Sequence, residues 1–311
     1  MIIKINNEKL EIDIKNITKF WEREYSFFIL SSWKLSFNII NKREYGNGAI
    51  KTFLCVYKNG VVTNYRNSDE EKYFEKYIGE KIVNNISLRN KIVKLYILHA
   101  EHLLKLFKII DKTNEISYRL IKNFYLTTGD FFAYNFFIQR GIDYIGSIEN
   151  VKNIKTLIKL RTKYAKIVIG QYEDYIEKIC KKVANKKNIL NFSLLKFLTG
   201  EELIEFIKTK KLPNNFDKRK QITVIILLPR LLLLSGKKAY NIVKLLEKRI
   251  EKKENYKDIL KGISVFNKGV KGKVKVIKNI RELNKLKIDS DLEILVVPST
   301  LPKYDNILIK A

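Results

Sequence analysis

The side chains best suited to proton transfer or metal binding are the only two histidines, His99 and His102. They lie three residues apart in Leu98-His-Ala-Glu-His-Leu103, so on a helix both could reach one metal ion, with Glu101 nearby. A general-base or nucleophilic role is a second hypothesis. His99, however, falls on an apolar helical stripe, and no further histidine or cysteine cluster completes a site. We expect both histidines to pack at the edge of the core, and we expect no metal site in this chain.

A second candidate is Ser235-Gly236-Lys237-Lys238, which resembles part of a phosphate-binding loop. The full pattern Gly-x-x-x-x-Gly-Lys-Ser/Thr is absent, so the sequence predicts a helix start with solvated lysines. The lysine pairs 181–182 and 186–187 are interpreted as solvated helix ends and loops. The tyrosines at 164, 172 and 175 recur at helical spacing, which favours core packing over a surface for stacking nucleic-acid bases.

The most informative motifs lie in the last 50 residues. The first runs Gly262-Ile-Ser-Val-Phe-Asn-Lys-Gly269-Val-Lys-Gly272-Lys-Val-Lys-Val-Ile277, a glycine-rich turn leading into an alternating strand. The second is Ile294-Leu-Val-Val-Pro298-Ser-Thr300-Leu-Pro302, an apolar strand followed by a loop. In this order and separation they resemble the swivelling phosphohistidine domain of the PEP-utilising enzymes, such as phosphoenolpyruvate synthase and pyruvate phosphate dikinase.

The resemblance implies a β/β/α swivelling domain and phosphoryl transfer. By resemblance, Gly262, Gly269, Gly272, Thr300 and Pro302 are the scaffold of the phosphotransfer loop. Glycine supplies positive φ at the turn, the apolar run suits a strand covered on both faces, and proline suits a helix first turn.

The family's phosphoryl-carrying histidine stands in Gly-Gly-x-Thr/Ser-x-His-Ala, which this sequence does not contain. The turn from Gly269 to Gly272 is also one residue shorter than the family's. We therefore expect no catalytic residue in this chain and a fragment cut before the histidine motif. ATP and Mg²⁺ are cofactors implied only for the family's ATP-grasp domain, so a separate ATP-grasp subunit or missing domains are the expected partners.

Around these motifs, the sequence predicts an α+β fold with two domains. Residues 1–256 form a mainly helical domain with a hairpin near 50–65 and a strand pair near 222–234, and residues 257–311 begin the swivelling domain. The hairpin prediction rests on Asn59-Gly60 between two β-rich runs. The strand pair is expected to be buried and to cross Pro229-Arg230.

The region from about 68 to 180 is predicted to be helical, and an aromatic segment from Trp21 to Ile40 helical in part. One long helix is indicated by an apolar stripe at spacings of three and four. Its members are Ile92, Tyr96, His99, Leu103, Leu106 and Ile110. Thr128-Gly-Asp130 is interpreted as a loop or cap, and a lysine-rich helix is expected over about 153–180. Thr199-Gly-Glu-Glu202 is predicted to be a capping box, and Gly236 to lead a helix with Ala239, Ile242, Val243, Leu246 and Ile250 on one face.

The net charge is +28, from 61 Lys and Arg against 33 Asp and Glu, but only 11 of the 61 are arginine. Arginine dominates specific nucleic-acid contacts, so a chain with few arginines gives little support to nucleic-acid binding. Lysine shares A/T-rich codons with asparagine and isoleucine, in which the chain is also rich, so codon usage explains the charge at least as well as a ligand does.

Two distant cysteines exclude a disulfide scaffold and fit a reducing, cytoplasmic location. The longest apolar stretch, 222–234, is too short to span a membrane, so no membrane partner is expected.

Two functions follow. The first is a PEP-synthase-like phosphotransferase component that acts on an unknown small acceptor. The alternative is a non-catalytic protein whose lysine-rich surface binds nucleic acid or another anionic partner.

Overall fold

The computed structural model describes residues 2–5, 10–46, 48–146, 154–214, 216–228, 230–251, 272–276 and 293–296. These residues form an α+β fold, as predicted. The strands are β1 (Ile2–Ile5), β2 (Leu10–Asp13), β3 (Ile17–Arg23), β4 (Phe53–Lys58), β5 (Val61–Asn67), β6 (Ile222–Leu228), β7 (Leu232–Ser235), β8 (Lys273–Val276) and β9 (Glu293–Val296). The helices are α1 (Phe27–Ile40), α2 (Ser68–Asn84), α3 (Ile86–Lys112), α4 (Tyr118–Gly146), α5 (Ile154–Tyr164), α6 (Gly170–Lys187), α7 (Gly200–Thr209) and α8 (Lys237–Glu251).

The predicted hairpin and strand pair are both confirmed, but they belong to one sheet rather than to separate small hairpins. Five antiparallel strands follow the order β3-β5-β4-β6-β7. In the β4–β5 turn, Asn59 and Gly60 have φ values of 52° and 86°, the positive values that a two-residue hairpin turn requires. β4 and β6 pair because both are apolar on both faces and fit only at the centre of a sheet.

Alternate side chains of the central strands enter two different cores. Phe53, Cys55 and Ile225 pack into the large core shared with the helices. Leu54, Val224 and their neighbours pack against α8 on the opposite face. The sheet is therefore a middle layer between the helical bundle and α8, and β7, at its edge, is only half-buried rather than fully buried as expected.

The segment that opens at Trp21 is helical only from Phe27. Its first residues complete β3, which the sequence analysis did not predict. Ser26 caps α1: its side chain accepts a hydrogen bond from the backbone N–H of Ile29. The strand therefore turns directly into the helix, and this junction forms one wall of the cleft described below.

The long helix predicted from the apolar stripe is α3, and five of its six stripe residues are buried. The sixth, His99, is half-buried. The prediction of a loop or cap at Thr128-Gly-Asp130 is wrong, because these residues lie inside the continuous helix α4. Gly129 is needed there for close packing: a Cβ atom at this position would lie 2.5 Å from the Cβ of Leu35 on α1.

The lysine-rich helix expected over 153–180 is interrupted by a π-helix, Ala165–Ile169, and α6 then continues to Lys187. Its lysines are not simply solvated. The ammonium of Lys182 donates to the backbone carbonyls of Ile110 and Thr113, at 2.5 Å each. It thereby satisfies carbonyls at the end of α3, where a positive charge is also favoured by the helix dipole.

The capping box at the start of α7 is confirmed. The Thr199 hydroxyl accepts from the Glu202 N–H at 3.2 Å, and the Glu202 carboxylate accepts from the Thr199 N–H at 2.9 Å. Arg219 then binds the same carboxylate with two nitrogens, at 2.6 and 2.7 Å. The box therefore also ties α7 to the segment before β6.

We expect Thr199→Ala to lower the free energy of unfolding by about 1 kcal/mol, because a helix N–H loses its acceptor. Urea denaturation followed by circular dichroism measures this change. Thr209→Ala is the control, since the Thr209 hydroxyl donates to the Glu205 carbonyl and accepts from the Lys211 N–H in an exposed position at the end of α7, where water can replace it. Equal losses in the two variants would contradict the cap assignment.

The helix led by Gly236 is confirmed as α8, with Ala239, Ile242, Val243 and Leu246 buried. In the C-terminal region, β8 and β9 pair in parallel. The side chains of Val274, Val276 and Val296 are exposed, although the apolar sequence of the second strand predicted a strand covered on both faces. The division into domains at 256 and 257 lies outside the described residues and stays a prediction.

Candidate functional site

A cleft of about 330 Å³ lies where four segments of the chain meet. These segments are the β3–α1 junction, the β4–β5 hairpin, the start of α6 and the 3₁₀ helix Phe192–Phe197. The lining residues on which the following paragraphs depend are Glu24, Phe27, Tyr57, Glu173, Asp174, Glu177, Lys196 and Phe197. Four segments far apart in sequence are thus required to build the cleft.

Glu173 is held in a fixed position at the first turn of α1. Its carboxylate Oε1 accepts from the Ser26 backbone N–H at 2.7 Å and from the Ser26 hydroxyl at 3.1 Å. A carboxylate at this place is also stabilised by the positive end of the α1 dipole. Glu173 therefore contributes a preorganised negative charge to the cleft.

Glu177 is neutralised by two lysines, at 2.7 Å from Lys196 and 2.9 Å from Lys181. The hydrogen bonds from these ammonium groups lower the pKa of Glu177. Burial acts to lower the pKa of Lys196, but its hydrogen bond to Glu177 and the negative charges of Glu177 and Glu173 together outweigh burial, so the pKa of Lys196 is raised. This end of the cleft is therefore a compensated ion pair.

Three aromatic rings pack edge to face at the cleft. The ring centroids of Phe27 and Tyr57 are 5.6 Å apart, those of Tyr57 and Phe197 5.2 Å, and those of Phe27 and Phe197 5.5 Å. Mutual edge-to-face packing holds such rings in place. The cleft thus combines a rigid aromatic wall with carboxylates, the mixture of apolar surface and few polar groups that is typical of small-molecule sites.

The π-helix ends at the cleft. Its last residue Ile169 and the following Gly170 line the opening, and the Gly170 N–H donates to the Ala165 carbonyl five residues earlier. Single-turn π-helices inside α-helices occur frequently at functional sites. Here the inserted turn sets the direction in which the start of α6 presents Glu173 and Asp174.

None of the sequence motifs predicted this cleft. One available signal was the segment Ile167-Val-Ile-Gly-Gln-Tyr-Glu-Asp174, which contains two acids and no lysine within a lysine-rich region. The other walls of the cleft lie far from this segment along the chain, and only the tertiary fold brings them together. The sequence therefore gives no local signal for them.

The two histidines lie elsewhere, on α3 against α4. His99 Nδ1 is 3.8 Å from the Asp130 carboxylate, and its ring stacks on Tyr134 at 5.6 Å. His102 Nδ1 lies 3.4 Å from the Thr127 hydroxyl. Burial lowers the pKa of His99 and raises that of Asp130. The prediction of packed histidines at the core edge agrees with these contacts, and no group of three metal-binding side chains occurs in the described ranges.

The other predicted candidates are also structural. Tyr164, Tyr172 and Tyr175 are buried in the core, as expected. Cys55 and Cys180 are buried and unpaired, and burial raises the pKa of each thiol to about 12. A thiol that stays protonated at neutral pH is a poor nucleophile.

A second, basic cleft of about 620 Å³ surrounds the start of α8. Lys218, Lys237 and Lys238 line it together with Arg219, whose guanidinium is already bound to Glu202. The lysines predicted to be solvated at this helix start therefore face a concave surface.

Of the five residues assigned to the phosphotransfer loop by resemblance, the structure describes only Gly272. This glycine directly precedes β8. Gly262, Gly269, Thr300 and Pro302 lie outside the described residues. Across the ranges described, no helix is both long and apolar enough to cross a membrane.

Comparison with protein families, curated proteins and solved structures gives no match to this chain.

Proposed function

We propose that this chain is a component of a PEP-synthase-like phosphotransferase, in which a phosphohistidine carries the phosphoryl group to an acceptor bound by the helical part. The two C-terminal motifs resemble the swivelling domain. The observation that carries the proposal is that the two strands belonging to these motifs, β8 and β9, pair in parallel, Lys273 with Glu293 through Val276 with Val296.

Parallel pairing is informative because a short turn cannot make it. Two parallel neighbours need a crossover connection of about a dozen residues or more, and residues 277–292 separate these strands. A β/α crossover between the glycine-rich turn and the Thr-x-Pro loop is what the resemblance implies. An unrelated hairpin would have paired antiparallel.

In this proposal the aromatic and acidic cleft binds the acceptor. ATP and Mg²⁺ act on an ATP-grasp domain in another subunit or another part of the protein. The phosphoryl group passes from ATP to the histidine and then to the acceptor, and the histidine is supplied from outside these 311 residues.

The nucleotide sequence after codon 311 gives the first test. We expect it to encode a Gly-Gly-x-Ser/Thr-x-His segment, and a stop codon there would refute an enzymatic role for this chain. The complete protein, with any ATP-grasp subunit encoded beside it, is then incubated with ATP labelled at the β- or γ-phosphate. We expect acid-labile, base-stable label on the protein, and none after replacing that histidine by alanine.

The alternative, binding of an anionic partner, stays a prediction. The basic cleft at the start of α8 is the observation that favours it, because three lysines converge there. Binding at that surface would not involve the acidic cleft.

A further inference from the structure

The cleft at the β3–α1 junction has a charge opposite to that of the whole chain. Its lining contains four carboxylates, Glu24, Glu173, Asp174 and Glu177, of which Glu177 is compensated by the lysines Lys196 and Lys181 described above. The complete chain carries 61 basic against 33 acidic residues. A concave negative region within a positive protein concentrates cations locally and repels anions. We infer that the cleft binds an organic ammonium ligand.

No three of these carboxylates are grouped closely enough to serve one metal ion together. In the part of the chain that the structure describes, no three acidic, histidine or cysteine side chains are grouped as metal ligands. Carboxylates spread along a cleft suit instead a ligand with several cationic groups or one large one. Glu173 is fixed by Ser26 and gives such a ligand a defined anchor.

The aromatic wall points to the same ligand class independently of the acids. Tyr57 and Phe197, which are partly exposed, place ring surface beside the carboxylates, and the buried ring of Phe27 packs against both from the core side. An ammonium group close to an aromatic face is attracted by the ring quadrupole, and the apolar wall receives the ligand's carbon skeleton. A metal ion, which needs oxygen or nitrogen ligands on all sides, would gain little from this wall.

Asp174 is the residue best placed to recognise a second cationic group. It is exposed at the cleft, one residue from the anchored Glu173. The described structure gives it no hydrogen-bond or ion-pair partner, whereas Glu177 already has two lysines. Ligand binding at Asp174 therefore breaks no existing ion pair.

If the cleft binds an organic ammonium ligand and the proposed function is correct, the phosphoryl acceptor is a hydroxylated amine. That step rests on the proposed function, since a hydroxyl is the group that would receive the phosphoryl. The binding of a cation does not depend on it, so the two ideas can fail separately.

The test measures binding to the 311-residue chain by isothermal titration calorimetry at low salt. The probe is 2-deoxystreptamine, a ring with two amines and three hydroxyls, and the neutral comparison is myo-inositol. We expect 2-deoxystreptamine to bind, inositol not to bind, and binding to weaken as NaCl is raised from 20 to 300 mM, because salt screens the attraction.

The deciding variant is Asp174→Asn, with Asp217→Asn as the control. Both substitutions remove one negative charge, but Asp217 is a 91% exposed side chain outside this cleft. We expect the dissociation constant to rise roughly threefold to tenfold in D174N and to be unchanged in D217N. Glu173→Gln is less suitable because it would disturb the start of α1.

Three results would overturn the inference: no heat of binding at 20 mM NaCl, equal binding of 2-deoxystreptamine and inositol, or equal effects of D174N and D217N. Phosphohistidine formation in the complete protein without amine binding here would refute this inference alone. Amine binding without phosphohistidine would refute the proposed function alone.

Discussion

Replacing Glu71 by glutamine is expected to lower the free energy of unfolding by about 3–5 kcal/mol, the usual cost of breaking a buried ion pair from one side. Glu71, on α2, joins two arginines that come from different parts of the fold. Its Oε1 accepts from Arg66 on β5 at 2.9 Å, and its Oε2 accepts from Arg140 on α4. All three side chains are at most 11% exposed.

The loss is large because the two guanidinium groups would remain buried without their shared counter-ion. Asn64 accepts one Arg66 hydrogen at 2.7 Å, and Asp143 accepts one from Arg140 at 3.2 Å. These contacts and the ring of Phe53, 4.5 Å from the Arg66 guanidinium, do not replace a carboxylate between the two charges. Burial already lowers the pKa of Arg66 to about 10, which shows how costly this charge is to bury.

The measurement is guanidinium chloride denaturation of the wild type, Glu71→Gln and a control, Glu115→Gln. Glu115 likewise forms an ion pair, with Lys186, but its side chain is 69% exposed. An exposed pair contributes at most about 1 kcal/mol, so the control should unfold close to the wild type. A Glu71→Gln protein as stable as the control would show that the cluster does not hold the sheet to the helices.

The parts of this fold that the sequence predicted depend on short stretches of chain. The Asn59-Gly60 turn, the capping box at Thr199 and the stripe on α3 each involve residues within a few positions or turns of each other. Their physics is local: positive φ, an unsatisfied N–H, or one apolar helix face. Such signals remain visible whatever the rest of the fold does.

What the sequence did not predict depends on distant contacts. β3 was missed because its residues, Ile17-Thr-Lys-Phe-Trp-Glu-Arg23, do not alternate apolar with polar types, and a register shift between Lys19 and Trp21 interrupts its pairing with β5. The cleft joins residue 24 to residues as distant as 197. The Glu71 cluster likewise joins three charged residues that look like ordinary surface residues in sequence. Buried charge of this kind can be recognised only once the partners are known.

Gly129 is the clearest case in which tertiary packing overrides a local signal, and it gives the last prediction. In sequence, Thr-Gly-Asp is typical of a turn or cap, but the fold places the glycine in the middle of α4. α1 crosses there so closely that the Gly129 carbonyl accepts a hydrogen bond from the Ser36 hydroxyl at 2.7 Å. A methyl group would lie 2.5 Å from the Leu35 Cβ and 3.2 Å from the Ser32 carbonyl oxygen.

We expect Gly129→Ala to destabilise the protein by about 2 kcal/mol. Forcing the two helices apart costs about 1–3 kcal/mol, and the Cβ of Leu35 and the α1 backbone place this site at the upper end. The better helix propensity of alanine returns at most about 1 kcal/mol.

Gly141→Ala is the matched control, because it lies on the same helix and gains the same propensity. Its new methyl group would meet the Cδ1 atom of Ile82 at 2.7 Å, the far end of a side chain that can rotate away. The free energies of unfolding of the two variants, measured by thermal and urea denaturation, should therefore differ by roughly 2–3 kcal/mol, with Gly141→Ala the more stable. Equal stabilities would mean that α1 and α4 can separate at no cost. In that case the close approach of the two helices would not be what requires glycine at position 129.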